Sequence, residues 1–408
     1  MGPQRRDSIV RRVLLAFIFL AFAVALPSPT WAQSTDSFLI SKSPRIDLRA
    51  LTDKASSGDP GAQYELGMLY QSGLGVDKSE YEAMRWYQRA ANSGNPNAQN
   101  NLAYLYETGP DGLRDMTEAV KWYRRAAIYG NAVAQLNVGR LYLHGHGVEQ
   151  SDEEAMRWIQ KSVDGGCADA LATLAAMYAN GQGVPKDPSK ALTLAKKAIK
   201  HHSSEAEAVL GLFYVTGLGV SKDSAEGAKW LRKAAQDGSG TGQYSLGLLY
   251  EFGDGVEKNS TEALRFYHLA AEQGITKAAA ALGQIYELGQ DVRVDCKQAV
   301  SWYRQAANQG DAESAARLGR LLMLGEGAEK NTQEAVRLWT WASNKGNAHA
   351  QFYLAGLYAS GVGVERDLQK AYSLFKLAGN SIDVTKQLDQ ISTQLSREKA
   401  ASRPESPQ

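Results

Sequence analysis

The sequence predicts an all-α protein, an α-solenoid of nine helix-turn-helix repeats with terminal capping helices, and three observations predict it. Ala62, Ala98, Ala134, Ala170, Ala206, Gly242, Ala278, Ser314 and Ala350 each begin a segment of 36 residues, and the nine segments follow one another without insertion or deletion. Within each segment position 5 is Leu or Val, position 6 Gly or Ala, position 9 Tyr in all units but one (Leu322), and position 12 always Gly. Positions 1, 5, 8, 9 and 12 share one helical face, and a second face recurs later, as in Ala83, Trp86, Tyr87, Ala90 and Ala91. A fixed period of this length with two amphipathic helices per unit is the signature of a solenoid, because no single unit can bury its own apolar face.

Each element has its reason. Arg5, Arg6, Arg11 and Arg12 precede an unbroken apolar run of 14 residues, Val13 to Leu26, and Thr30-Trp31-Ala32 places small residues at −3 and −1 before Gln33. Residues 1–32 therefore read as a signal peptide. As a helix that run spans about 21 Å, short of the roughly 30 Å hydrocarbon core, so cleavage is favoured over anchoring. Residues 33–61 read as a linker and an N-terminal half-repeat helix, since Ala55 and Gly58 stand 36 residues before Ala91 and Gly94. The nine repeats occupy 62–381; Gly-x-Gly-Val supplies the turn between helices, as at Gly73 to Val76, and a glycine such as Gly94 stops the second helix. The second unit must turn differently, because it reads Gly109-Pro110-Asp111-Gly112. The fourth, with Leu194-Ala195 for Trp-Tyr and His202 for glycine, is expected to be the weakest-packed joint. Val384, Leu388, Ile391 and Leu395 stripe a C-terminal capping helix over 382–399, and 400–408 is expected to be a disordered tail.

Composition sets limits on function. The 408 residues carry 45 Lys+Arg against 44 Asp+Glu, and removing 1–32 leaves 41 against 43. So even a balance argues against a nucleic-acid binder. Two cysteines exclude a disulfide framework and a multi-cysteine zinc fold. A mean hydropathy of −0.37 with one short apolar run excludes a multi-spanning membrane protein, and no stable insertion is expected after signal cleavage.

The pattern A-x3-L-G-x2-Y-x2-G-x-G-V … A-x2-W-Y-x2-A-A-x2-G, running from 62 to about 381, resembles the Sel-one-like repeat, a relative of the tetratricopeptide repeat. The resemblance implies antiparallel helix pairs stacked into a right-handed superhelix and a role in assembling proteins. It also implies, for exported bacterial members, adaptors, regulators of signalling or envelope assembly, or factors that meet host proteins. One cysteine-rich branch of the family closes each unit with a disulfide; this chain lacks those cysteines.

No catalytic motif is present: there is no H-E-x-x-H, G-x4-G-K-[ST] or G-x-S-x-G. The Gly-x-Gly loops follow helices every 36 residues, not a strand, so they are turns and no cofactor is expected. His144 and His146, or Cys167 with His201 and His202, could begin a metal site, but ordinary turn residues are the simpler reading and none is assigned. Cys167 and Cys296 stand more than three units apart, roughly 30 Å at ordinary helix-packing distances, too far for an intramolecular disulfide. Glu153 and Glu154, with Asp152, begin a helix and favour its dipole rather than acid–base work. Asn259-Ser260-Thr261 is a sequon, with meaning only where a glycosylation machinery exists.

The candidate binding surface is the face of the first helices opposite their packing stripe, at positions 3, 7 and 10, which in tetratricopeptide-like stacks lines the concave groove. The residues there are Tyr64, Met68, Tyr104, Arg140, Leu143, Leu212, Tyr244, Leu248, Gln284, Arg320 and Phe352. Tyr, Met and Arg are enriched at interfaces, whereas a merely solvated face carries more Lys and Glu. The sequence thus reads as an exported, non-enzymatic scaffold that binds a protein or peptide in this groove, most simply in the periplasm and in envelope regulation or assembly. The alternatives are a secreted factor binding a host glycoprotein and an enzyme on peptidoglycan or another envelope polymer. The enzyme would require two positioned carboxylates or an activated nucleophile, and the sequence offers neither.

Overall fold

The computed structural model of the protein describes residues 47–109 and 112–401, with side chains as far as 398. The expected signal segment 1–32, the first part of the expected linker and the end of the expected tail lie outside the described residues. Among those described, every regular element is helical. The helices group into two compact units that divide between Ile275 and Thr276. The first unit holds α1 Leu48–Ser56, α2 Pro60–Ser72, α3 Glu80–Asn92, α4 Pro96–Thr108, α5 Met116–Ile128, α6 Ala132–His144 and α7 Asp152–Asp164. It continues with α8 Ala168–Asn180, α9 Pro188–Lys200, α10 Ser204–Thr216, α11 Ser224–Gln236, α12 Gly240–Phe252 and α13 Ser260–Glu272. The second holds α14 Thr276–Leu288, α15 Cys296–Asn308, α16 Ala312–Leu324, α17 Thr332–Asn344, α18 Ala348–Ser360, α19 Leu368–Ala378 and α20 Thr385–Ala401. Within each unit successive helices pack on one another, first helix to second and second to the next first. This is an α-solenoid.

Local chemistry sets the helix ends. Short polar side chains accept the backbone N–H three residues on: Asp59 from Ala62 at 2.7 Å, Ser79 from Glu82 at 3.2 Å, Asn131 from Ala134 at 2.7 Å. Most first helices end on a glycine in the left-handed region, as Gly73 does at φ 74°. Gly109 is the exception, extended at φ −61° and ψ 171°, so the second repeat does turn differently. Second helices are followed by glycines at φ 82° to 101°, except that the ninth repeat ends on Gly379 at φ −60° and the fourth places His202 after its second helix at φ 61°. A side chain in that region costs on the order of 1 kcal/mol.

Two columns build the core. Alanines such as Ala83, Ala119 and Ala299 are fully buried where second helices approach first ones. The large residue at position 26 fills the remaining space, and Tyr87, Tyr123, Tyr267 and Tyr303 are essentially inaccessible. Position 6 is small because that ring lies on it: a Cβ on Gly283 would stand 2.5 Å from the Tyr303 ring. Around repeat 4 the second-helix to first-helix joints, α7 on α8 and α9 on α10, are the thinnest inside the first unit. Direct contact of α8 with α10, and of α10 with α12, compensates there. At the ends, Leu48 and Leu51 of α1 pack against α2, and Val384 and Ile391 close over Phe375 and Ala371.

Candidate interaction surface

Six of the eleven groove candidates are buried: Tyr64, Met68, Leu143, Leu212, Tyr244 and Leu248 are at most 8% exposed. The helical wheel places them opposite the stripe that seals one pair, but a first helix in a stack has neighbours on more than one side. Tyr64 packs on Tyr87 and Tyr244 on Tyr267, with ring centroids 5.9 and 5.4 Å apart. Leu143 joins Ile159, Leu174 and Met177 in one apolar cluster. Leu212 lies on α10, which touches both α8 and α12 as well as its own second helix, and is fully buried. The remaining five reach solvent. Gln284 is exposed, and Tyr104, Arg140, Arg320 and Phe352 are half-buried, the last with its ring edge-on to Phe375 at 5.5 Å. Burial pushes the Tyr104 phenol up to about 12.

The chemistry on this side is organised by a pairing that the sequence reading passed over. Each position-26 tyrosine donates to the position-10 residue of its own repeat: Tyr87 to Gln71 at 2.7 Å, Tyr123 to Glu107 at 2.8 Å, Tyr267 to Glu251 and Tyr303 to Glu287. Where position 26 is apolar (Ile159, Ala195, Leu231, Trp339, Phe375), position 10 is apolar too (Leu143, Ala179, Val215, Met323, Ala359). The coupling at a separation of 16 residues was legible in the columns. Its cause is the cost of a buried hydroxyl or carboxylate without a partner.

The carboxylates of these pairs sit in different fields. Burial raises the Glu107 carboxyl to about 7, against the hydrogen bond from Tyr123 and the charge of Arg140. Arg140 itself reaches Thr173 Oγ1 at 3.5 Å. At Glu287 burial again pushes upward, but hydrogen bonds from Tyr303 and Arg320 and the charges of Arg317 and Arg320 together hold it below its ordinary value. Arg317 Nη1 stands 3.2 Å from Glu287 Oε2, and Arg320 Nη2 2.7 Å from Oε1. Arg317 also meets Glu313 at 2.9 Å, which accepts from Asn347 at 2.9 Å.

That last bond is one rung of a ladder between helix starts of adjacent repeats. The others are Asn131 to Asn97 at 2.8 Å, Ser203 to Asp169 at 2.6 Å, Ser239 to Glu205 at 2.8 Å and Lys277 to Asp311 at 2.7 Å. These groups hold repeats together, and their oxygens are occupied by neighbours. Cys167 and Cys296 are both free, and burial raises the Cys167 thiol. The rings of His144 and His146 are 5.8 Å apart. Among the described residues no three His, Cys, Asp or Glu side chains gather as metal ligands. Nor is any described helix long and apolar enough to cross a membrane.

Comparison with known proteins follows the repeats. The Sel1 repeat profile matches nine consecutive segments, 60–95, 96–128, 132–167, 168–203, 204–239, 241–275, 276–311, 312–347 and 348–381. A Sel1 repeat protein from Oxalobacter formigenes is 35% identical over 60% of this chain and 100% of its own, with a TM-score of 0.50. A protective antigen of uropathogenic Escherichia coli strains displaying an SLR fold is 28% identical over 86% of this chain and 91% of its own, with a TM-score of 0.41. No curated protein matches. With nine repeats matched between 60 and 381, the chain belongs to the Sel1 repeat family.

Proposed function

We propose that the chain is an exported, non-enzymatic adaptor that binds a polypeptide through the accessible part of its inner helix face. Sel1 repeat proteins are in general protein-interaction scaffolds, and the matched family is not a catalytic one. The observation that carries the reading is the residue chemistry left at the surface: Tyr104 and Arg140 in the first unit, and Gln284, Arg320 and Phe352 in the second. Arg and Tyr are the types on which binding energy concentrates. The carboxylates nearby serve the fold. Glu287 is engaged by two guanidinium groups and a phenol, and Glu107 by Tyr123, so both carboxyls are bonded within the fold.

Export rests on the signal-like segment 1–32, and the periplasm is the address it supports first, with the extracellular medium second. Fractionation followed by N-terminal sequencing should recover a mature chain beginning near Gln33. Recovery of residues 1–32 on the mature protein rejects that part.

Capture of partners by the tagged mature chain tests the binding part. Replacing Tyr104 and Arg140 together by Ala should weaken capture at least about tenfold with helical content unchanged, since such residues cost about 1–2 kcal/mol or more each. Lys229 and Arg265, exposed on second helices, provide the matched control pair. A loss equal in both rejects the inner face.

A further inference from the structure

The second helices carry a feature that neither the repeat consensus nor the inner face accounts for. Position 28 is a cation in five consecutive repeats, Arg89, Arg125, Lys161, Lys197 and Lys233, and then becomes Leu269, Gln305, Trp341 and Leu377. All five cations belong to the first unit and are exposed.

An adjacent row shows what an idle surface charge looks like in this fold. At position 24, Arg85, Lys121, Arg157, Lys229 and Arg265 are each tied to a glutamate one turn earlier, at 2.5 to 2.9 Å. These are ordinary i,i+3 helix pairs. At position 28, among the described residues, only Lys233 meets carboxylates, those of Glu207 and Asp237. Among the described residues Arg89, Arg125, Lys161 and Lys197 form no ion pair. Three of them lie instead over indoles: Arg89 over Trp86 at 4.6 Å, Arg125 over Trp122 at 5.3 Å and Lys161 over Trp158 at 4.4 Å. A cation held against a ring keeps its charge and loses rotamer freedom before a partner arrives, which lowers the ordering cost of binding.

The surroundings add charge and an apolar anchor point. In repeats 1 to 4, positions 27 and 31 contribute Arg124, Lys196 and Lys200, against one acid, Asp164, which accepts from Gln160 at 2.9 Å. Ile128 and Tyr129 stand in the midst of this field, 73% and 63% exposed. At those two positions the other eight repeats have polar residues or glycine. With Lys121, Arg124 and Arg125 the pair lines an open depression of about 420 Å³.

We propose that the outer face of repeats 1 to 4 docks an acidic polypeptide segment, its carboxylates meeting Arg89, Arg125, Lys161 and Lys197 and an apolar side chain resting on Ile128 and Tyr129. Equivalent residues of successive repeats are roughly 10 Å apart at ordinary helix-packing distances, and a segment in the polyproline-II conformation rises about 3.1 Å per residue with three residues per turn, which puts every third side chain on one face. Acidic residues at every third position therefore match the row. A nucleic acid suits it less well. The indole faces are already covered by cations and are closed to base stacking, the neighbouring row is neutralised, and a phosphate backbone has no use for Ile128 and Tyr129. This surface is separate from the inner face and does not depend on it.

The test uses the mature chain and a fluorescein-labelled 16-residue peptide with Asp or Glu at every third position and one central Leu-Phe, read by anisotropy at low salt. Binding should tighten with falling ionic strength and weaken at least about tenfold in R89E/R125E/K161E and in I128S/Y129S. R85E/R157E/K229E, with the same change in net charge one turn away, should weaken it less than about threefold. Should the charge reversals fail to fold by circular dichroism, R89Q/R125Q/K161Q against R85Q/R157Q/K229Q carries the same contrast. Equal losses in both triples, indifference to I128S/Y129S, no binding of the peptide, or tighter binding of a single-stranded DNA of equal length each overturns the proposal. The inner-face variant Y104A/R140A should bind the peptide normally; a loss there alone reassigns the site to the inner face.

Discussion

Glu107 in repeat 2 and Glu287 in repeat 7 occupy the same position and accept a hydrogen bond from the same tyrosine column, yet their acidities move in opposite directions. The next repeat decides it. Opposite Glu287 stand Arg317 and Arg320, both within hydrogen-bond reach; opposite Glu107 the same two positions hold Asn137, bonded to Asn100, and Arg140, turned to Thr173. A repeat therefore prescribes that a polar group is buried at position 10, and its neighbour prescribes whether that group is charged. Burial without a bound cation disfavours the carboxylate, and burial with two favours it.

The comparison can be pressed hardest through packing. Trp122 beside the first pair is buried and its counterpart Trp302 beside the second is half-buried. W122A should cost on the order of 3–5 kcal/mol, W302A about half as much, and the exposed K121A little. Because a long repeat array need not unfold in one step, the measurement is the opening free energy of amides in α5 and α15 by native-state hydrogen exchange. Equal small effects at Trp122 and Lys121 would reject the assigned helix phase.

Next in size is removal of the guanidinium groups. R317M/R320M should destabilise repeats 7 and 8 by about 3 kcal/mol near pH 7, because it strands a buried carboxylate, and adding E287Q should recover most of that loss. If E287Q recovers nothing, the arginines act through Glu313 or Glu326 instead.

Acidity gives the third contrast. Glu107 has its folded value raised from 4.5 to about 7, so its contribution is full below pH 4.5 and fades as pH rises through 7. Glu287 is lowered, so its contribution is present above about 4.5 and is lost as pH falls through its folded value. E107Q should thus stabilise repeat 2 on the order of 1–2 kcal/mol at pH 8 and hardly at all at pH 4, while E287Q should destabilise repeat 7 at pH 8. Parallel pH profiles for the two repeats would contradict the local fields described here.

The smallest effect comes from the phenols. Y123F leaves Glu107 without a hydrogen bond among the described residues and should cost about 1.5 kcal/mol at pH 8. Y303F leaves Glu287 with two guanidinium donors and should cost about 0.5 kcal/mol. A reversed order would show that the arginines do not substitute for the phenol.

Much of the fold was legible in advance. The period, the two helices per unit, the glycine stops and the different turn at Gly109 all follow from residues within one repeat. The candidate surface was legible only in part. Arg140, Arg320, Tyr104, Gln284 and Phe352 remain accessible, whereas Tyr64, Tyr244 and Leu212 are buried by elements that a single-helix wheel does not contain. The tyrosine-to-position-10 coupling and the cation row at position 28 were both readable as columns. Comparing columns with one another, rather than each with a consensus, would have found them.

What this sequence determines by itself is whatever repeats: backbone caps, helical period and small residues under large rings act over one or two turns, and their energies need only near neighbours along the chain. Tertiary structure alone decided which face of a first helix stays open and which buried carboxylate is ionised. Both depend on side chains some 30 residues away, as Arg317 and Arg320 are from Glu287 and as those of α8 are from α10. Desolvation and Coulomb attraction are set by where those groups arrive in space, and a periodic sequence states that they recur without stating what they will face.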